Sequence, residues 1–267
     1  MASGDPSTDP ALVLVRAVYP PHLLSPASST PTSPQQRPFV TLTYAQSLDG
    51  KISGPRGKQI TLSGAESMRM THRLRELHDS ILVGVGTVLN DDPQLTARIP
   101  DLLTLASQPK PVVLDTQLRT PAGCKLLQNA KKGVGKPVTI LHASTSTDTA
   151  LNDGEAKDSE LVEAGAELVE ISIDDNGRLS LPSALTCPDS SRIFGRSLMV
   201  EGGASVISSF LASKLVDLVI VTVAPVLVGA EGVSVTRPGL DVPELEHLAT
   251  EVFGRDTVFV CRPKYAK

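Results

Sequence analysis

A short apolar run, Ile81 to Val85, stops at Gly86 and gives way to the polar sequence TVLNDDPQLTAR, and this break constrains the fold more than any other stretch. The run is too short for a helix, and its β-branched content suits a buried strand. It therefore reads as a strand delivering a loop. Gly84 and Gly86 have no Cβ, so backbone and ligand can approach closely there. Thr87, Asp91 and Asp92 add a hydroxyl and two carboxylates at the strand's exit. Loops at the carboxyl ends of buried strands are where α/β proteins usually bind small molecules. A glycine-rich exit followed by Asn-Asp-Asp-Pro also serves as a plain turn. The run is not a dinucleotide fingerprint: Leu89 stands where the third glycine belongs, and Asp92-Pro93 argues against a long following helix. A cofactor held here is held outside the Rossmann arrangement.

The rest of the chain repeats the pattern. Phe39 to Tyr44 alternates apolar and hydroxyl residues with strand period, and Asp49-Gly50 closes it as a turn pair. Pro111 to Asp115, Pro137 to Leu141, Glu167 to Ile173, Leu198 to Val200 and Thr257 to Cys261 are further strand candidates. In the long apolar run after Lys214, Pro225 divides a strand from a loop or edge segment. Asp115 and Thr116 end one of these runs, and Glu201-Gly202-Gly203 ends another. Val206, Ile207, Phe210 and Leu211 then take helical spacing, so bare amides at Gly203 to Val206 form an anion site, unless the glycines serve packing alone. Ser63 to Glu66 matches a capping box, which starts a helix whose buried stripe is Met70, Leu74, Leu77 and Ile81. Arg73 and Arg75 lie off the stripe, and His72 and His78 read as surface residues. Ser53 to Lys58 is a flexible basic loop able to cover a ligand, and Ser144 to Glu160 is polar enough for a mobile surface segment.

With 40% apolar but 3% aromatic residues and no Trp, the core must come from Val, Leu, Ile and Ala, which suits parallel or mixed strands. Strands alternating with helical stretches from Pro38 onward indicate one α/β domain over residues 38–267. Residues 1–37 are crowded with Pro, Ser and Thr and read as a flexible tail, although Ala11 to Val18 is apolar enough to dock. A net charge of -4 argues against a nucleic-acid partner and for a small molecule. Cys124, Cys187 and Cys261 lack the spacing of a disulfide framework or zinc site. No metal is expected. The N-terminus lacks a signal peptide and no stretch is long and apolar enough to span a bilayer, so the expected location is the cytoplasm, with no membrane partner.

Four segments carry a resemblance: TYAQSLDGKI, THRLRELHDSILVGVGTVLNDDPQLTAR, PVVLDTQLRTP and MVEGGASVISSFL, in this order, resemble the RibD C-terminal family, reductases of riboflavin biosynthesis. The likeness spans residues 38–267 and is nearest the stand-alone fungal-type branch. It implies a dihydrofolate-reductase-like fold, a central mixed, mainly parallel sheet flanked by helices, working as a homodimer with NADPH. The implied reaction reduces a ribosylaminopyrimidinone 5′-phosphate to its ribitylamino product by hydride transfer to C1′ of the ring-opened sugar imine. By the same resemblance, Thr87, Asp91, Thr116, Gly202, Gly203, Ala204, Ser205 and Val206 contact the cofactor, and Arg75, Leu95, Arg98 and Glu201 the substrate. Glu201 and Asp49 are the candidates for proton transfer. The lysine that bacterial members often carry before the SLDG turn is absent, with Thr41 and Thr43 in that neighbourhood, and the zinc deaminase signatures found upstream in those proteins are missing. Two alternatives stay open: a reductase of a pterin or other imine on the same fold, and a non-catalytic nucleotide-binding protein.

Overall fold

The computed structural model describes residues 9–24, 37–99, 104–144, 151–236 and 241–265, without the side chains of 151–156. Its first half comprises α1 (Pro10–Val18), α2 (Pro21–Leu24), β1 (Phe39–Ser47), β2 (Lys51–Ser53), α3 (Ala65–Leu77), β3 (Ser80–Gly84), α4 (Val85–Asp91), β4 (Lys110–Leu114), α5 (Lys125–Lys131) and β5 (Val138–His142). The second half comprises α6 (Leu151–Glu163), β6 (Ala166–Glu170), α7 (Leu181–Thr186), α8 (Ser190–Phe194), β7 (Ser197–Glu201), α9 (Ala204–Ala212), β8 (Leu218–Ala224), β9 (Val233–Ser234), β10 (Glu244–Phe253) and β11 (Asp256–Lys264).

One sheet takes nine strands in the order β10-β11-β8-β1-β7-β3-β4-β5-β6, and β2 and β9 pair apart from it. From β8 to β6 neighbouring strands are parallel, while β11 runs against β8 and β10 against β11. This is the mixed, mainly parallel sheet of a dihydrofolate-reductase-like fold. Strand alternation splits the core in two. Ile81, Val83, Ile140 and Met199 pack with α1, α3, α4 and α5 on one face. Leu42, Leu82, Leu141 and Val200 pack with α7, α8 and α9 on the other.

Several expectations need correction. The segment Pro10–Leu24 is not tail but two helices, with Ala11, Leu14, Val15, Tyr19 and Leu23 in the core. Asp9 caps α1 through the Ala11 N–H, and Arg73 reaches back to the same carboxylate at 3.1 Å. The other tail residues, 1–8 and 25–36, lie outside the described residues. Part of the polar stretch 144–160 is the helix α6, and its residues 145–150 also lie outside. The run Ile81 to Val85 ends one residue early and leads straight into α4 instead of a loop. At α3 the capping box does not form: Asp256 accepts from the Gly64 N–H at 2.6 Å and from the Ser67 hydroxyl, so a remote carboxylate caps the helix. His72, within α3, and His78, its C-cap, are both buried. The edge strand β10 was not anticipated. Most of its residues are exposed and a bulge between His247 and Ala249 breaks its alternation.

Candidate active site

Because β1, β7, β3 and β4 are adjacent and parallel, their carboxyl ends open on one side of the sheet. The chain passes from β1 to β3 and β4, then returns to insert β7 between β1 and β3, and such a reversal leaves a crevice at the strand ends. The crevice is a cleft of about 960 Å³. Thr43 and Tyr44 of β1, Glu201 to Gly203 after β7, Gly84 to Thr87 after β3, and Thr116 beyond β4 form its floor and walls. Ser53 and Gly57, from the loop expected to cover a ligand, stand on its rim side.

The glycine-bearing ends of β3 and β7 converge. A Cβ on Gly84 would lie 2.7 Å from Val206 Cγ2, and one on Gly202 would lie 2.6 Å from Val206 Cβ, so α9 packs against both strand exits only because they lack side chains. A Cβ on Gly203 would reach Thr87 Oγ1 at 3.7 Å, which places the two motifs face to face. Gly203 is also the N-cap of α9, without a side-chain cap, and the first turn holds no acidic residue. Its first-turn amides therefore point their donors, with the positive end of the helix dipole, at the cleft. An anionic diphosphate fits this cradle: among the described residues no side chain caps the first-turn amides, and the nearest atom to a Cβ built on Gly203 is Thr87 Oγ1.

At the other side of Gly203 sits a buried ion pair. Arg75 Nε donates to Glu201 Oε1 at 2.7 Å and Nη2 to Oε2 at 2.6 Å, while Nη1 donates to the Thr96 carbonyl at 3.1 Å. Burial opposes the Arg75 charge, but the Glu201 carboxylate outweighs it and raises the Arg75 pKa. Gripped at both oxygens by one guanidinium, the Glu201 side chain is fixed in place with lone pairs left over for a ligand. His72 lies beside them. Its Nδ1 accepts from the Arg98 N–H at 3.2 Å, and burial, with the charges of Arg75 and Arg98, pushes its pKa down to about 4. His78, deeper, bridges the Leu74 carbonyl and the Thr41 hydroxyl, which also accepts from Tyr19, and burial brings it to about 4 as well.

The cleft brings together Thr87, Asp91, Thr116 and Gly202 to Val206 with Arg75, Leu95 and Glu201. Burial raises the Asp91 pKa. Arg98 is not part of the wall: it is exposed beside His72, near enough to Arg75 and Glu201 to feel their charges. Asp49 does not reach the cleft. It accepts from Ser47 Oγ at 2.6 Å and from the Val228 and Gly229 N–H groups at 3.1 and 2.7 Å, bonds that hold its pKa down to about 2. Asp49 ties two loops together and is no candidate acid. Arg119 and Arg178 line the cleft although the sequence drew no attention to them. They lie far apart in the chain: Arg119 sits within the PVVLDTQLRTP segment and Arg178 just past a turn.

Strand order, parallel sense and this cleft define a dihydrofolate-reductase-like α/β protein with its ligand site at the sheet's topological switch. Residues 38–259 match the RibD C-terminal domain, and the chain belongs to that family. It is 38% identical over 210 residues to the 2,5-diamino-6-ribosylamino-4(3H)-pyrimidinone 5′-phosphate reductase of Candida glabrata, spanning 76% of this chain and 80% of that protein. The reductase of the same name from Debaryomyces hansenii is 35% identical over 76% of this chain and 81% of its own length. Among solved structures, the riboflavin biosynthesis reductase of Saccharomyces cerevisiae superposes with a TM-score of 0.68 at 29% identity, covering 88% of this chain and 93% of that one.

Proposed function

We propose that the protein reduces 2,5-diamino-6-ribosylamino-4(3H)-pyrimidinone 5′-phosphate to its ribitylamino product, the substrate in its relatives' names, with NADPH as donor. The convergence of the β3 and β7 exits on one cleft, with the Arg75–Glu201 pair beside the α9 N-terminus, carries this reading. When bound, the nicotinamide supplies the hydride that C1′ of the ring-opened sugar accepts. Amides of Ala204 to Val206 take the diphosphate, and Thr87, Asp91 and Thr116 meet ribose hydroxyls. Glu201, fixed by Arg75, accepts from sugar hydroxyls or a ring amino group, and the exposed guanidinium of Arg98 takes the 5′-phosphate. Held in this way, Glu201 orients the sugar, and water at the open cleft supplies the proton for ring opening. Positioning supplies the acceleration.

We also propose a homodimer in the cytoplasm. Exposed Leu245, Val252 and Phe259 on β10 and β11 offer apolar contact area, and the free cysteines suit a reducing compartment. Light scattering should give twice 28.1 kDa. Absorbance at 340 nm tests the reaction: NADPH should be consumed when the ribosylaminopyrimidine phosphate is added. Absence of consumption with that substrate, or turnover with a dihydropterin instead, would overturn the assignment.

A further inference from the structure

We propose that Arg119 and Arg178 clamp a phosphomonoester at the β4 end of the cleft, and that this is the 2′-phosphate of the dinucleotide, making the pair the selector of NADPH over NADH. The inference rests on the dinucleotide reading above and goes further by naming the groups that read the adenosine half.

Position comes first. The diphosphate cradle at Gly203 follows β7, and Glu201, paired with Arg75, ends the same strand, so on the reading above the substrate and nicotinamide would meet there. Two strand spacings of about 4.8 Å separate β7 from β4, so an adenosine ribose leaving the cradle in the other direction reaches Thr116 and the turn behind it. Arg119 stands on that turn.

Both arginines are presented by pinned backbone. On one side of Arg119, Leu118 is buried in the left-handed region at φ 52° and its N–H bonds the Asp115 carbonyl at 3.2 Å. On the other, the Thr120 N–H and hydroxyl both donate to Asp115 Oδ2 at 2.7 Å. Arg178 closes a hairpin in which Asp174 Oδ1 accepts from the Asn176 and Arg178 N–H groups at 2.9 Å and Ile173 bridges to Leu179. Leu118 belongs to the core on one face of the sheet and Leu179 to the core on the other. Both arginines line the cleft, on turns anchored in opposite faces of the core, a placement suited to the jaws of a clamp.

Their chemistry is unspent. Among the described residues no hydrogen bond or ion pair takes either guanidinium; Asp174 bonds the Arg178 backbone N–H and acts on its guanidinium through charge alone. Arg75 differs, with donors on Glu201 and Thr96. Free, planar, permanently charged forks on rigid turns match a phosphomonoester dianion, which offers three acceptor oxygens where NADH has one ribose hydroxyl.

Calorimetric titration of the full chain with NADP⁺, NAD⁺, 2′,5′-ADP and 5′-ADP tests this without turnover. Arg119→Ala and Arg178→Ala should each weaken NADP⁺ and 2′,5′-ADP about tenfold while NAD⁺ and 5′-ADP shift less than about twofold, and lysine at either position should restore part of the loss. Both side chains are exposed, so unchanged urea midpoints verify that the variants fold. Equal losses for the phosphorylated and unphosphorylated ligands, or undiminished preference for NADP⁺, would overturn the clamp while leaving the dinucleotide reading intact. A raised substrate KM at unchanged NADP⁺ affinity would assign the pair to the substrate's 5′-phosphate and also overturn it. A wild-type protein that binds neither dinucleotide would remove the reading beneath.

Discussion

At the scale of single residues, charge and burial are balanced around Glu201. Glu201→Gln leaves the buried Arg75 without its counterion, so we expect roughly 1–3 kcal/mol lower stability and a large fall in kcat/KM for the pyrimidine substrate. The double variant Arg75→Met with Glu201→Leu removes both charges and should regain most of that stability yet stay inactive. If activity returned with stability, the pair would be a fold device alone. The histidines give a pH signature. Burial holds His72 and His78 at about 4 against an ordinary 6.5, so the folded state disfavours their protonation. Their stabilisation is complete above pH 6.5 and drains away as pH falls towards 4, at about 1.4 kcal/mol per pH unit for each proton taken up on unfolding. Urea melts between pH 7 and 4.5 should show that slope, and His78→Gln should remove about one proton's share of it. Little of this was legible beforehand. A histidine among arginines on a polar helix looks solvated, and only the tertiary fold shows that His72 is buried beside Arg98 and His78 against Thr41.

At the scale of elements, the buried strands were readable because β-branched runs bounded by glycine carry a local signal, while the helix after β3 and the exposed edge strand β10 carry none. Partners fixed from a distance were not. The start of α3 was placed correctly by Ser63 and Glu66, but the group that caps it, Asp256, comes from the opposite end of the chain. The cradle shows the same division. GVG and EGG each mark a turn, yet that Val206 fills the space beside both Gly84 and Gly202 is a product of β3 pairing with β7. Here neighbouring glycines should behave differently. Gly202→Ala drives a methyl to 2.6 Å from Val206 Cβ, which cannot rotate aside, so α9 must shift and both melting temperature and dinucleotide affinity should fall. Gly203→Ala meets Thr87 at an ordinary 3.7 Å, so its melting temperature should change little beyond a cap loss of about 1 kcal/mol while the filled cradle weakens binding at least tenfold. Thermal melts beside titrations separate the two. Like effects from both substitutions would mean that the cradle does not hold the ligand.

At the scale of the whole molecule, the family likeness begins at residue 38, but the hydrophobic core begins earlier. The Pro/Ser/Thr-rich flanks made docking of Ala11 to Val18 only an alternative to a tail and hid its helix, although an Asp-Pro start and apolar residues at Ala11, Leu14 and Val15 carry a helix's cap and spacing. That helix covers α3, and Tyr19 packs edge-on against His78 at 5.6 Å while donating to Thr41. Since α3 also carries Arg75, the N-terminal helix bears on the site without touching it. Leu14 is 4% exposed, so Leu14→Ala should cost about 2–4 kcal/mol, depending on how far α1 settles into the gap. A chain beginning at residue 38 loses Ala11, Leu14, Val15, Tyr19 and Leu23 from the core at once and uncovers Met70 and Leu74. It should unfold at lower urea and, with α3 loosened, show a raised substrate KM before dinucleotide affinity changes, because the α9 cradle lies against β3 and β7, away from α1. Equal urea midpoints for the full and shortened chains would show that the core closes without α1. A parallel loss of substrate and dinucleotide affinity would show general loosening and not a path through α3.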